Sequence, residues 1–149
     1  MVVIVLRVAL VILFLSIFVA CCTADYSIKV VDVIDGDTIV VEGGLLVRYI
    51  GIDAPEKNEG LYLQAQKANE ELVRGKRVRL EKDVSDKDNY GRLLRYVYVD
   101  GDGVFVNAEL VRSGLADAKT YPPDVKYQAY LDALEKEARQ TKKGLWAQR

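Results

Sequence analysis

VIDGDTIVVEGGLLVRYIGIDAPE, residues 33 to 56, reads as a β-hairpin carrying too much charge for its size. Thr38–Glu42 is rich in β-branched residues, Gly43-Gly44 supplies a two-residue turn, and Leu45–Ile50 returns. Asp35, Asp37, Arg48, Asp53 and Glu56 all lie on this hairpin or beside it. Charges on the buried side of a sheet are costly unless they pair or bind an ion.

Pairing Glu42 with Leu45 sets Asp37 opposite Ile50 and Ile39 opposite Arg48. Opposed residues share a face, as do alternate residues along each strand. This register predicts Asp37, Ile39, Arg48 and Ile50 on one side, with Arg48 diagonal to Asp37. Leu46 and Ile50 flank Arg48 on that side and are apolar, so the face is predicted to be the inner one. A buried guanidinium needs anionic partners. Gly51 can bend the chain and bring Asp53, then Glu56 beyond Pro55, back toward Asp37. Three carboxylates meeting there require that one be protonated or that a cation sit between them. An all-oxygen donor set selects a hard ion, Ca²⁺ or Mg²⁺. Asp35-Gly-Asp37-Thr38 and Asp53-Ala-Pro-Glu56 are ordinary turn sequences taken singly. The joint arrangement around an inward Arg is what points to a site.

Working outward, Ser27–Val33 precedes the hairpin as another strand. Leu61–Arg74 has Ala65, Ala68 and Leu72 at helical spacing and stops at Gly75. Arg77–Lys82 and Arg92–Asp100 are two more strands. Phe105–Ser113 is a short helix closed by Gly114. Asp124–Lys143 is a long amphipathic helix with Tyr127, Leu131, Leu134 and Ala138 on one side, ended by Gly144. Five strands, interrupted by one helix and followed by two more, predict an α+β fold. Its centre is a five-stranded, OB-fold-type antiparallel β-barrel with three α-helices.

The chain has 149 residues and is 50% hydrophobic, enough for one domain with its own core. Residues 1–24 stand apart: Arg7 is followed by an apolar run from Val8 to Cys22 and small residues, the pattern of an export signal. Val19-Ala20-Cys21 resembles the end of a lipoprotein signal, in which Cys21 becomes the lipidated terminus. Cleavage after Ala24 and retention as a membrane anchor are the alternatives. The expectation is an exported protein, extracellular or anchored on the outer face of the membrane, with residues 25–149 as the folded domain. Both cysteines, Cys21 and Cys22, fall in the first segment, and histidine is absent. That excludes disulfides, thiol chemistry, Ser-His catalysis and His or Cys metal sites from the domain. Beyond residue 24 the 21 basic side chains become 20, against 22 acidic ones, for a net charge of −2. A polyanion must then be met locally, by a few arginines and a bound cation, rather than by a general basic field.

The motifs together resemble those of the staphylococcal nuclease-type (thermonuclease) family. The matching residues are Asp35-Gly-Asp37-Thr38, Arg48, Gly51-Ile-Asp53-Ala-Pro55-Glu56 and Asp88-Asn-Tyr90-Gly-Arg92. Val106-Asn107-Ala-Glu-Leu110-Val-Arg-Ser-Gly114-Leu-Ala116 and Gly144-Leu-Trp146 follow in order. The resemblance implies an OB-fold barrel with three helices that cleaves DNA and RNA, single-stranded or locally open, with Ca²⁺. It assigns Asp37 and Asp53 as metal carboxylates and the Ala54 carbonyl as a third ligand. Glu56 becomes the candidate general base, and Arg48 and Arg92 hold the scissile phosphate. Products end in a 3′-phosphate, so the bond to the 5′ oxygen is the one broken. Tyr90, and Tyr121 or Tyr127, are the candidate nucleotide contacts, with Tyr90 placed first. The lysine that precedes that tyrosine in the family is Asn89 here. The family also implies a monomer.

Two other classes fit parts of this pattern. One is a catalytically weak, nucleic-acid-binding module that keeps only the groove. The other is a surface protein whose carboxylates bind Ca²⁺ for structure alone.

Overall fold

The computed structural model describes residues 27–147. The export segment expected at residues 1–24 lies outside them. Within them the chain forms β1 (Ser27–Val33), β2 (Thr38–Val41), β3 (Leu45–Tyr49), β4 (Ile52–Asp53), α1 (Tyr62–Val73), β5 (Arg77–Glu81) and β6 (Leu93–Val99). Then come α2 (Val106–Arg112), β7 (Asp117–Ala118), α3 (Gln128–Gln140) and a 3₁₀ turn (Gly144–Ala147). Among the described residues no helix is long and apolar enough to cross a membrane.

Five strands close into a barrel in the order β1-β2-β3-β6-β5. The expected barrel is present, but it is mixed rather than purely antiparallel: β3 and β6 pair in parallel, Arg48 opposite Leu94. The reason is topological. An odd number of strands cannot close a ring with every neighbour reversed, so one pair must run the same way. The inside is filled by alternate residues of the strands, Val30, Ile39, Val41, Val47, Val78 and Val97, all fully buried. Barrel closure and core filling are thus achieved within residues 27–147.

The hairpin register differs from the expected one by a single residue. Thr38 faces Arg48, Ile39 faces Val47 and Val41 faces Leu45. The turn takes three residues, Glu42 to Gly44, because both glycines adopt positive φ, 86° and 75°. A one-residue slip exchanges the faces of a strand. The inward set is therefore Ile39, Val41, Val47 and Tyr49, while Leu46 is 41% exposed. Arg48 lies with Thr38 on the opposite side from the one expected.

α1 ends before Gly75 and buries Ala65, Asn69 and Val73, with Ala68 and Leu72 partly covered. α3 buries Leu131, Leu134 and Ala138 but begins four residues later than expected. Asp124 is not helical: its carboxylate accepts the Val84 and Ser85 N–H groups at 3.0 and 2.7 Å, tying two loops together. The two-residue sheet of β4 with β7, which sets Asp53 opposite Asp117, has no periodicity long enough to announce it.

Candidate functional site

Asp37 sits at the entry to β2 in a turn built by its neighbours. The Asp35 carboxylate accepts the Asp37 N–H at 3.0 Å. Gly36 is required by space: a Cβ there would stand 2.6 Å from that of Ala54 and 2.8 Å from that of Ala65. From α1, Asn69 donates to the Asp35 carbonyl at 2.9 Å and accepts the buried Tyr49 hydroxyl at 2.8 Å. Asp37 is buried, with its side chain only 8% exposed. It accepts the Thr38 hydroxyl at 3.1 Å and the Ala54 N–H at 2.7 Å. Burial pushes its pKa up to about 7; Arg48, the Ala54 N–H and Thr38 act in the opposite direction, and Asp35 adds to the rise.

Arg48 joins the parts. Its guanidinium lies 3.0 Å from Asp37 and 3.0 Å from Asp53. It also donates to the Tyr49 and Ile52 carbonyls at 3.1 and 3.0 Å. The bend after β3 that makes this possible is fixed from inside, where buried Asn107 of α2 donates to the Ile50 carbonyl at 2.8 Å. The second Asp53 oxygen receives the Lys119 ammonium at 3.2 Å. The hydrogen bond and charge of Asp53 raise the Lys119 pKa, with Tyr121 and Asp117 adding to the effect.

Arg92 is positioned differently, by the loop before β6. Asp88 Oδ2 accepts its Nε at 2.6 Å, and Asp88 Oδ1 accepts the Arg92 and Tyr90 N–H groups at 3.0 and 2.9 Å. Burial works to raise the Asp88 pKa, but these bonds outweigh it and hold the carboxyl below its ordinary value. Arg48, Arg92, Tyr90 and Tyr121 line one cleft of about 270 Å³. Tyr90 is 85% exposed, and its ring centre is 5.5 Å from the Arg92 guanidinium carbon.

The expected residues are not all gathered here. Asp37, Asp53 and Arg48 meet, and Ala54 is joined to Asp37 through its N–H. Glu56 does not complete a trio of carboxylates. It is exposed on the loop after Pro55, where its N–H donates to Glu59 and its carbonyl accepts the Glu59 N–H, closing a separate turn. Tyr127 is outside the cleft: its ring packs on Tyr96 and Phe105, and its hydroxyl donates to Glu81 at 3.0 Å. Lys119 and Asn69 lie outside the matched motifs, and Asn107, inside one, carries no sign in the sequence of its Ile50 partner. Lys119 and Asp53 are 66 residues apart, beyond any local spacing signal. For Asp88 a signal existed, since it precedes Arg92 by four residues.

Among the described residues no three His, Cys, Asp or Glu side chains are grouped to hold a metal. The donors available are the two carboxylates, Asp37 and Asp53, and the neighbouring Ala54 carbonyl. Their chemistry, oxygen only with Asp37 buried, fits a hard cation that keeps other positions for water or substrate.

Residues 46–148 match the family model described as staphylococcal nuclease homologue. A thermonuclease of Staphylococcus hyicus is 39% identical over 132 residues, covering 83% of this chain and 77% of the relative. A thermonuclease of Staphylococcus intermedius is 40% identical, with 76% and 72% covered. An endonuclease of Bacillus subtilis is 42% identical over 125 residues, with 76% and 58% covered. The barrel, the cleft and these similarities agree: the chain belongs to the staphylococcal nuclease family.

Proposed function

We propose that the nuclease activity of this family takes a specific form here. An exported, calcium-dependent endonuclease hydrolyses DNA and RNA at the bond to the 5′ oxygen and leaves 3′-phosphate ends. The observation that carries this proposal is the double duty of Arg48, which is paired with Asp37 and Asp53 and also lines the cleft that holds Arg92.

A phosphodiester in the cleft would meet two guanidiniums, each a planar fork that suits two phosphate oxygens. Arg48 orients the phosphate and balances charge that grows on its equatorial oxygens. Arg92, held by Asp88 through Nε, keeps its terminal nitrogens for the phosphate and stabilises the departing 5′ oxygen electrostatically. Glu56 takes the proton of the attacking water on its carboxylate. Tyr90 and Tyr121 offer ring faces at the mouth of the cleft, which suits substrate with unstacked bases. A calcium ion held by Asp37, Asp53 and the Ala54 carbonyl would add Lewis-acid stabilisation of the charged phosphate. Such local recognition is how a domain of net charge −2 can bind a polyanion. Export, by cleavage or with an anchor, rests on residues 1–24, and the working unit is a monomer.

The test is digestion of single-stranded DNA and of RNA by residues 25–149, with calcium and with chelator. Cleavage with calcium only, and 3′-phosphate ends on the products, is expected; equal inactivity in both conditions defeats the proposal. Glu56→Gln should cost several orders of magnitude in rate. The exposed position of Glu56, apart from the paired acids, is the one observation that favours a weakly catalytic binding module. That reading predicts calcium-dependent nucleotide binding with no strand cleavage.

A further inference from the structure

The two acids are paired with one cation more than phosphate binding requires. Two carboxylates, Asp37 and Asp53, face two cations, Arg48 and Lys119, across contacts of 3.0 to 3.2 Å. Arg48 lines the cleft and has a role there. Lys119 lines no part of the cleft. Its position is nevertheless built. The Lys119 N–H donates to the Gly51 carbonyl at 2.9 Å, and Asp117, two residues earlier, pairs with Asp53 across β4 and β7. The backbone of Lys119 is thus fastened to the segment that carries Asp53, which keeps that carboxylate within reach of the ammonium.

Oxygen sites tune their affinity for a hard cation by the number of charged ligands and by rigidity. Two carboxylates already matched by two cations form a neutral set, to which a divalent ion is drawn only weakly. We propose that Lys119 sets the cation affinity of this site, by occupying the second oxygen of Asp53 until a divalent ion and an anionic substrate arrive together. The proposal rests on Asp37 and Asp53 being the cation ligands. Lysine suits the role, because its ammonium is a point charge on a flexible stem and its half-exposed ion pair is weak enough to yield. A bound phosphodiester supplies the negative charge that the acid set lacks and gives the displaced ammonium a new counter-ion. Loading of cation and of substrate are thereby tied to one another through a side chain that need not touch the reacting atoms.

The experiment is calorimetric titration of calcium into residues 25–149, as wild type, Lys119→Gln and Lys119→Arg. Each is titrated alone and with a nucleoside 3′,5′-bisphosphate, which is not an activity readout. Lys119→Gln should bind calcium about fivefold to tenfold more tightly without nucleotide, from removal of one nearby charge. Lys119→Arg should stay within about twofold of wild type, since the charge is kept. The gain in calcium affinity on adding nucleotide should shrink in Lys119→Gln by the factor gained without it. Lys119→Met provides a second neutral variant should the first fold poorly. Equal calcium affinity in wild type and both neutral variants overturns the role of Lys119 and leaves Asp37 and Asp53 as ligands. No calcium binding in any of the proteins overturns both at once.

Discussion

The two arginines of the cleft are held by opposite means. Arg48 is 12% exposed and is gripped by two acids and two backbone carbonyls contributed by the turn before β2, by β3 and by β4. Arg92 is 27% exposed and is steered by one carboxylate four residues earlier in its own loop. The first is part of the fold and the second is an attachment to it. A functional group of the first kind cannot be changed without disturbing structure, whereas one of the second kind can be altered almost alone.

The sharpest way to break this contrast is Arg48→Ala. It leaves Asp37 buried without its guanidinium, so activity should vanish and stability should fall by about 3–5 kcal/mol, read from urea unfolding. Arg92→Ala should lower the rate by about 10³-fold or more. Its unfolding midpoint should barely move, and a large drop there would place Arg92 in the first class. Asp88→Asn tests the attachment itself. It keeps the loop's shape but weakens the hold on Nε, and kcat should drop about tenfold to a hundredfold for a stability loss of about 1 kcal/mol. Tyr90→Ala should raise KM roughly tenfold, in line with about 1–3 kcal/mol per stacked base, and leave unfolding unchanged. The smallest effect belongs to Tyr127→Phe, which removes the bond to Glu81 and should cost about 1 kcal/mol of stability with KM unaltered. A rise in KM there would return Tyr127 to the cleft.

The same contrast governs how much was legible in the sequence. The barrel strands, the three helices and the motif residues announce themselves by alternation, helical spacing and turn chemistry within a few residues. The Asp88–Arg92 pairing is local and could have been found by spacing. The register of β2 with β3 could not, because Gly43-Gly44 permits either a two-residue or a three-residue turn. The two-residue reading gives the wrong register, and apolar Leu46 and Ile50 then make the Arg48 face resemble the inner one. What decides the register is the depth of the barrel, which buries Tyr49 and Val47 and leaves Leu46 outside. Partners fixed by closure are equally silent in the chain: Asn69 looks like an ordinary helix residue, Asn107 belongs to a motif that does not show what it binds, and β7 spans two residues. Glu56 was drawn toward the other acids by its place after Pro55, but Glu59 claims its N–H and turns the loop on itself.

The parallel seam between β3 and β6 has a consequence in time as well as in space. It is the step that sets the Arg48 strand beside the one that follows Arg92, across more than forty residues of intervening chain. Such distant pairing forms late, after the entropy of a long loop has been overcome. Until the ring shuts, the two arginines share no cleft, and by the proposed mechanism a chain still open during synthesis leaves the nucleic acids around it uncut.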